Sequence, residues 1–138
     1  MSEHFDELKI IKTSPLATSI PTPLVVTKVK AAYKVWHDHL INLNRIDRYT
    51  LGAKIDEIFL ALMENVFRSS FASDRFEKLN FISAAISKCD LLKFMLQLAW
   101  ESKYLDHKKY GSLCLDTEEI GRMLGGWKKT VGLKTPAK

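Results

Sequence analysis

The sequence predicts an all-α protein, an up-and-down antiparallel four-helix bundle. Glycine and proline are scarce, at 6 and 4 of 138 residues, and the strict polar–apolar alternation of strands is hard to find. Apolar residues recur instead at helical spacing in four segments. A chain of this length buries roughly two thirds of its unfolded surface. We therefore expect one domain over residues 22–129, with helices at about 23–43, 48–71, 75–104 and 107–128.

The first helix follows a lead-in, residues 1–21, that we expect to be loosely ordered. Thr22 is predicted to cap the helix, with Pro23 at its first position, where the missing N–H does no harm. One face then carries only apolar or aromatic residues, which places Trp36 in the core. These residues are Val25, Val29, Ala32, Tyr33, Trp36, Leu40 and Leu43.

The second helix follows the turn NRIDRYT and has two apolar faces. Leu51, Ile55, Ile58, Leu62 and Val66 share one face. A second stripe, formed by Leu60, Met63, Phe67 and Phe71, lies on nearly the opposite side.

The third helix is predicted to begin with a capping box formed by Asp74 and Glu77. Between residues 89 and 101 its apolar side chains cover about 240°, whereas a surface helix needs a stripe somewhat over 100° wide. One chain of four helices cannot cover so wide a face, so the pattern favours a homo-oligomer. The expected interface residues are Leu60, Met63, Phe67, Phe94, Met95, Leu98 and Trp127. The alternative is a monomer whose N-terminal segment, with Phe5, Leu8, Ile10 and Ile11, folds back over this face.

The fourth helix carries Leu113, Ile120, Leu124 and Trp127 on one face and ends in RMLGGWKKT. Trp127 is in phase with this stripe, so we expect the helix to continue through Gly125 and Gly126. The glycines would let a neighbouring helix or subunit approach closely. The alternative is a left-handed stop at one of the two glycines. A basic tail, 130–138, is expected to follow.

The net charge of +5 is concentrated near the end of the chain. Residues 1–22 sum to −1, residues 23–120 to +1, and residues 121–138 to +5, with no acid in the last segment. Such a cationic end attracts polyanions, and the alternative is that it is a solubilising tail.

The sequence contains no targeting or membrane segment that we can identify. The longest near-apolar run, LLKFMLQLAW, is ten residues long and is interrupted by Lys93 and Gln97, so it is too short and too polar to span a bilayer. The acidic N-terminus lacks a signal-peptide core. We therefore expect a cytoplasmic protein, with Cys89 and Cys114 as buried free thiols rather than a disulfide or metal pair.

The sequence predicts neither a catalytic nor a metal site, and no cofactor. His37 and His39 lie about 200° apart on a helix and cannot share a metal. The chain has no Glu-x-x-His, Cys-x-x-Cys, glycine-rich phosphate loop or nucleophile elbow. The i,i+4 pairs Glu64–Arg68 and Asp74–Lys78 have the spacing of surface ion pairs.

Three stretches carry a resemblance to a known family: RYTLGAKIDEIF (48–59), CDLLKFMLQLAWE (89–101) and EEIGRMLGGWKK (118–129). In order and spacing they resemble the accessory variability-determinant (Avd) proteins of diversity-generating retroelements. The same signature runs through small four-helix-bundle proteins, some encoded within intervening sequences of ribosomal RNA genes. The similarity covers about residues 24–129, and the Gly-Arg-Met-Leu-Gly-Gly-Trp run is its most specific part. The longer lead-in departs from the family.

This resemblance implies a non-catalytic, barrel-shaped homopentamer with a basic surface. Retroelement members bind nucleic acid and the reverse transcriptase of the element, and they are needed for error-prone copying of template RNA into cDNA. Arg48, Lys54, Lys93 and Arg122 are the basic residues of the matching motifs. Charge and expected exposure add Arg75, Lys78, Lys88, Lys128 and Lys129. The alternative for Lys93 is an ion pair with Asp90, and for Arg122 one with Glu118 or Glu119.

The mechanism that we expect is electrostatic scaffolding by a ring of subunits. Five copies of +5 would place roughly +25 on one particle, which would bind RNA or DNA through phosphates with little sequence preference. No aromatic platform for base stacking is expected, because the tryptophans and most phenylalanines lie on apolar faces. The main alternative is a homo-oligomeric bundle adaptor of the intervening-sequence type with no retroelement role. A second alternative is an enzyme whose active site none of these motifs reveals.

Overall fold

A computed structural model describes residues 23–133 of the chain. Over this range the protein is all-helical, as predicted, with no strand. The elements, in chain order, are α1 (Leu24–Leu40), α2 (Arg45–Asp47), a π-helical turn (Arg48–Gly52), α3 (Ala53–Phe71), α4 (Arg75–Glu101) and α5 (His107–Leu133). The backbone stays in the right-handed helical region where α2, the π-helical turn and α3 join, so the three form one long helix.

Neighbouring long helices run antiparallel and enclose one core. Contacts join α1 to α3, α3 to α4, α4 to α5, and α5 back to α1. The Cys89 thiol donates to the carbonyl oxygen of Thr117 at 3.4 Å, which fixes α4 against α5. His39 Nε2 lies 2.9 Å from the carbonyl oxygen of Tyr104, so the end of α1 lies beside the start of α5. This is the predicted up-and-down topology.

The core lies along the axis of the bundle, and Trp36 lies within it as predicted. Its indole stacks on the ring of Phe59 with 6.4 Å between centroids, and both side chains are fully buried. Trp36 Nε1 donates to Asp56 Oδ1 at 3.2 Å, which satisfies the one polar atom of the indole.

The first two helices differ from prediction at their ends. Pro23 is the N-cap residue of α1 rather than its first helical residue, and Thr22 lies outside the described residues. Helix α1 ends at Leu40 instead of residue 43, because the N–H groups of Asn42 and Leu43 bond carbonyls only three residues back. The next helix begins at Arg45 rather than residue 48, since the side chain of Asn44 accepts the Asp47 N–H at 2.9 Å and caps it.

The π-helical turn requires the glycine at its end. A Cβ on Gly52 would lie 2.9 Å from the carbonyl oxygen of Asp47 and 3.0 Å from Leu40 Cδ1. No side chain fits at this position without a shift of the backbone.

Helix α4 begins with the predicted cap, because the Asp74 carboxylate accepts the Glu77 N–H at 2.9 Å. The helix ends at Glu101, three residues before the predicted end. The N–H of Tyr104 bonds the Ala99 carbonyl at 2.8 Å and that of Lys103 bonds the Trp100 carbonyl at 3.0 Å. This is a Schellman motif, and it holds Lys103 at φ 68°.

Helix α5 continues through Gly125 and Gly126, as predicted, and reaches Leu133. Neither glycine has positive φ, so the alternative of a left-handed stop is wrong. The predicted end at residue 128 and tail from residue 130 are also wrong in part, because residues 130–133 are helical and Val131 is buried. The predicted lead-in, 1–21, lies outside the described residues, and so do residues 134–138. The alternative in which the N-terminal segment with Phe5 covers the apolar face therefore stays a prediction.

Candidate functional site

The antiparallel arrangement sorts the charges of the bundle into three zones along its axis. The basic pole, which we define as residues 23–30, 62–78 and 121–133, holds eight basic and three acidic side chains, a net charge of +5. The acidic belt, residues 31–36, 56–61, 85–90 and 115–120, holds two basic and six acidic side chains, a net charge of −4. The far pole, residues 37–55 and 91–114, holds seven basic and four acidic side chains, a net charge of +3.

The basic pole brings together five of the nine predicted nucleic-acid residues: Arg75, Lys78, Arg122, Lys128 and Lys129. The first turn of α4 lies beside the last turns of α5, because Lys78 Nζ lies 5.8 Å from the centre of the Trp127 ring. Arg122, Lys128 and Lys129 are exposed. The pole therefore carries the largest net positive charge of the three zones in the described part of the chain.

Lys78 has a structural role within this pole. Its Nζ donates to the carbonyl oxygen of Ser69 at 2.7 Å, in the last turn of α3. The predicted pair between Asp74 and Lys78 does not form, since the Asp74 carboxylate caps α4 instead.

Arg48 and Lys54 lie at the far pole, away from the five candidates of the basic pole. The Arg48 guanidinium lies 5.8 Å from the centre of the Tyr49 ring, and its Nε is buried without a hydrogen-bond partner among residues 23–133. Lys54 Nζ pairs with Glu57 at 3.3 Å. Both side chains are therefore partly engaged by their own helix.

Lys88 and Lys93 lie in or beside the acidic belt, where phosphate is disfavoured. Lys93 Nζ lies 3.8 Å from Glu118 Oε1, so the predicted pairing with Asp90 is wrong. Gly121 makes room for this contact, since a Cβ there would lie 3.2 Å from Lys93 Nζ. Glu119 pairs with Lys28 at 3.3 Å. Glu118 and Glu119, the two predicted carboxylate partners of Arg122, are therefore paired with lysines instead.

Asp116 is the acidic-belt residue whose ionisation the fold disfavours. Partial burial raises the pKa of its carboxyl above the ordinary 3.8, and repulsion from Glu119 adds to the shift. Lys28 lowers the same pKa, but less.

The predicted subunit-interface residues divide into exposed and partly buried ones. Leu60, Phe67, Phe94 and Leu98 are exposed in the single chain. Met63, Met95 and Trp127 are only partly buried and pack against the chain's own core. Phe71 and Leu91 extend the exposed group, so α3 and α4 together present a large apolar surface.

Gly125 and Gly126 do not serve helix packing within the chain. A Cβ added at either position would meet no atom within 4 Å. The predicted close approach of a neighbouring helix is therefore wrong for the helices of the described chain.

Among residues 23–133, surface grooves lie at both ends of the bundle. One, at the turn between α3 and α4, is lined mainly by Phe67, Phe71 and Phe81 with Arg68 and Glu77 at its sides. The other, after α4, is lined by Trp100, Lys103 and His107 among others.

Within residues 23–133, no three histidine, cysteine or acidic side chains are placed to hold a metal ion.

The cysteines are free thiols, as predicted, although Cys114 is only partly buried. Burial raises the pKa of the Cys89 thiol to about 11, which makes it a poor nucleophile.

No helix between residues 23 and 133 is both long and apolar enough to cross a membrane.

One exposed aromatic residue of the basic pole was missed by the sequence analysis. Phe76, in the first turn of α4, is 67% exposed, and the Arg75 guanidinium lies 4.8 Å from the centre of its ring. The sequence analysis assigned the tryptophans and most phenylalanines to apolar faces and did not single out Phe76, whose ring is exposed. Phe76 and Phe94 are 18 residues apart, which is five α-helical turns, so they lie on the same face of α4. Both are exposed, so this face points away from the core. This spacing is visible in the sequence.

Residues 24–131 match the bAvd-like family. Among solved structures, the fold is similar to that of a protein of unknown function from the S23 ribosomal protein family of Bacteroides thetaiotaomicron, with a TM-score of 0.70. The two share 19% sequence identity over 77% of this chain and 96% of that chain, so the likeness shows a common fold. None of the curated proteins matches the sequence significantly.

Proposed function

The chain belongs to the bAvd-like family, and from this premise we propose that it is a non-catalytic accessory protein that binds nucleic acid through its basic pole. Its partner would be the reverse transcriptase of a diversity-generating retroelement, and its ligand the template RNA or the cDNA copied from it. Family membership supports the accessory role. The observation that carries the nucleic-acid part is the +5 charge of the basic pole, set against the acidic belt.

The expected mode of binding is contact between cationic side chains and phosphates. Arg122, Lys128 and Lys129 are exposed, and the first turn of α4 adds Arg75. Phosphate contacts fix the position of a nucleic acid without reading its sequence, and they weaken steeply as salt displaces them. A single pole of this size binds weakly, so high affinity requires several copies.

We propose that the copies assemble through the exposed apolar surface of α3 and α4. Leu60, Phe67, Phe94 and Leu98 would be covered in the assembly, and a ring of five is the number that the family resemblance implies. Such a ring would add the charges of its basic poles on one particle. Light scattering tests this: a mass of five times 15.8 kDa supports the ring, a smaller multiple supports assembly but contradicts a ring of five, and a mass of 15.8 kDa contradicts assembly.

The nucleic-acid proposal is tested by reversing charge at one pole and comparing it with the other. The test variant carries Arg122→Glu, Lys128→Glu and Lys129→Glu. The control carries the same number of reversals at the far pole, Lys54→Glu, Lys108→Glu and Lys109→Glu. Binding of a labelled RNA is measured at two salt concentrations. The test variant is expected to bind more weakly than the control and to show a shallower salt dependence. Equal loss in both variants would locate binding elsewhere.

Absence of binding by the unaltered protein at low salt would favour a different role. The protein would then act as a homo-oligomeric bundle adaptor of the intervening-sequence type, without retroelement function. Co-expression with a reverse transcriptase encoded next to it, followed by pulldown of the tagged protein, tests the partner directly. Co-purification through high-salt washes is expected, and failure to co-purify would remove the polymerase from the proposal.

A further inference from the structure

We propose that Phe76 is a stacking platform for an unpaired base, so that the basic pole prefers single-stranded RNA or DNA to a duplex. This inference rests on the proposed function, because it names the form of nucleic acid that the basic pole binds. It adds to phosphate contact a second kind of contact, between the Phe76 ring and the face of a base.

Phe76 is exposed for reasons that lie in its helix. It occupies the second helical position of α4, directly after Arg75 and two residues after the Asp74 cap. The buried residues of α4, such as Ile82 and Ala85, point to the opposite side. A phenylalanine side chain that is 67% exposed contributes only a small part of the hydrophobic stabilisation that full burial would give. Packing within the single chain therefore does not explain a phenylalanine at this position.

The ring is held by a cation that also suits a nucleic acid. The Arg75 guanidinium carbon lies 4.8 Å from the ring centre, and this is the one cation or ring partner of Phe76 among the described residues. A guanidinium over one face leaves the other face available to a base. The donors of the same guanidinium can bond the adjoining phosphate.

The basic pole supplies further cations for the phosphates of a strand that stacks on Phe76. Lys128 and Lys129 belong to this pole: they follow Trp127, whose ring centre lies 5.8 Å from Lys78 Nζ on α4. The two acids of this turn, Asp74 and Glu77, balance Arg75 and Lys78, so the net positive charge comes from the basic pole as a whole. Charge complementarity therefore favours a polyanion over an apolar partner at Phe76.

The preference for single strands follows from the geometry of stacking. In a duplex the base faces are covered by neighbouring base pairs, so only phosphates are presented to the pole. An unpaired base exposes its face, and stacking on an aromatic side chain tolerates any base. Phosphate binding alone would not discriminate between the two forms in this way.

The experiment compares Phe76→Ala, Phe76→Trp and the control Ile46→Ala, which shortens an apolar side chain at the far pole that is 74% exposed and lies outside the proposed subunit interface. Fluorescence polarisation measures the affinity of each for a short single-stranded RNA and for a duplex RNA of the same length. Phe76→Ala is expected to weaken single-strand binding by about fivefold or more. Duplex binding should change less than twofold, Phe76→Trp should restore single-strand binding, and Ile46→Ala should leave both unchanged.

Three outcomes would overturn the stacking proposal. They are no loss in Phe76→Ala, an equal loss for single strand and duplex, and a changed mass in light scattering, which would make Phe76 a subunit contact. Each leaves the proposed function standing as long as the triple reversal at Arg122, Lys128 and Lys129 weakens RNA binding. If that reversal has no effect, the proposed function itself fails.

Discussion

Lys78 Nζ donates a hydrogen bond of 2.7 Å to the carbonyl oxygen of Ser69, and so ties the start of α4 to the last turn of α3. Ser69 is buried, and carbonyls in the last turn of a helix lack a partner within the helix. Replacing Lys78 with Met should therefore lower the free energy of unfolding by about 1–2 kcal/mol. Chemical denaturation measures this, with the exposed Lys129→Met as control. Equal stability of the two variants would make Lys78 a free surface cation.

Gly52 and Gly126 are expected to respond in opposite ways to alanine. A Cβ at Gly52 overlaps the backbone oxygen of Asp47 at 2.9 Å, so Gly52→Ala should destabilise the bundle by about 1–3 kcal/mol. A Cβ at Gly126 meets nothing within 4 Å, so Gly126→Ala should stabilise α5 by up to about 1 kcal/mol. Thermal unfolding of the two single variants checks both signs. A stabilised Gly52→Ala would show that the π-helical turn rearranges freely.

Lys103 occupies a left-handed backbone conformation, φ 68°, that glycine adopts without strain. Lys103→Gly is expected to raise the free energy of unfolding by about 0.5–1 kcal/mol, because the strain at this position exceeds the entropy that glycine adds to the unfolded chain. Lys103→Ala is the control: it removes the same charge but keeps the strain. A gain shared by both variants would trace the effect to charge instead.

Asp116 should make the stability of the bundle fall as pH rises. Its pKa is raised in the folded state, so below the ordinary 3.8 the carboxyl is protonated whether folded or unfolded and contributes nothing. As pH rises from 3.8 through the raised pKa, ionisation favours the unfolded state, and this loss persists at neutral pH. Asp116→Asn is therefore expected to stabilise the protein at neutral pH and to have no effect below pH 3.8. Thermal unfolding at both pH values, with the exposed Asp90→Asn as control, measures it. A gain that persists in acid would have another cause.

The sequence predicts the fold well because its strongest signal, helical apolar periodicity, is the one that builds this core. Trp36, Leu62 and Leu113 are buried as their spacing requires. The helix ends were predicted less well, since they depend on single contacts. The Asn44 cap lengthens one helix by three residues, and the Schellman motif at Lys103 shortens another by the same number.

The candidate site was predicted only as a set of charges, because pairing depends on distances between helices. Periodicity places Lys93 on the surface, but it cannot show that Gly121 opens a path from Lys93 to Glu118 on the next helix. Nor can it show that Lys78 turns back to α3. The gathering of Arg75 with Lys128 and Lys129 follows only once α4 and α5 are known to be antiparallel neighbours.

The π-helical turn Arg48–Gly52 bears on how the length of this chain can vary. A single π turn accommodates one more residue than the equivalent α-helical stretch, while the turns on either side stay in phase. If Thr50, whose side chain is exposed, were deleted, ordinary α-helix would connect the Asn44 cap to the buried Ile55. The side chains on either side of the turn would keep their orientation toward the core. This turn is thus a place where a shortened version of the chain is expected to keep its bundle, because the extra residue of the π turn is accommodated without disturbing the core.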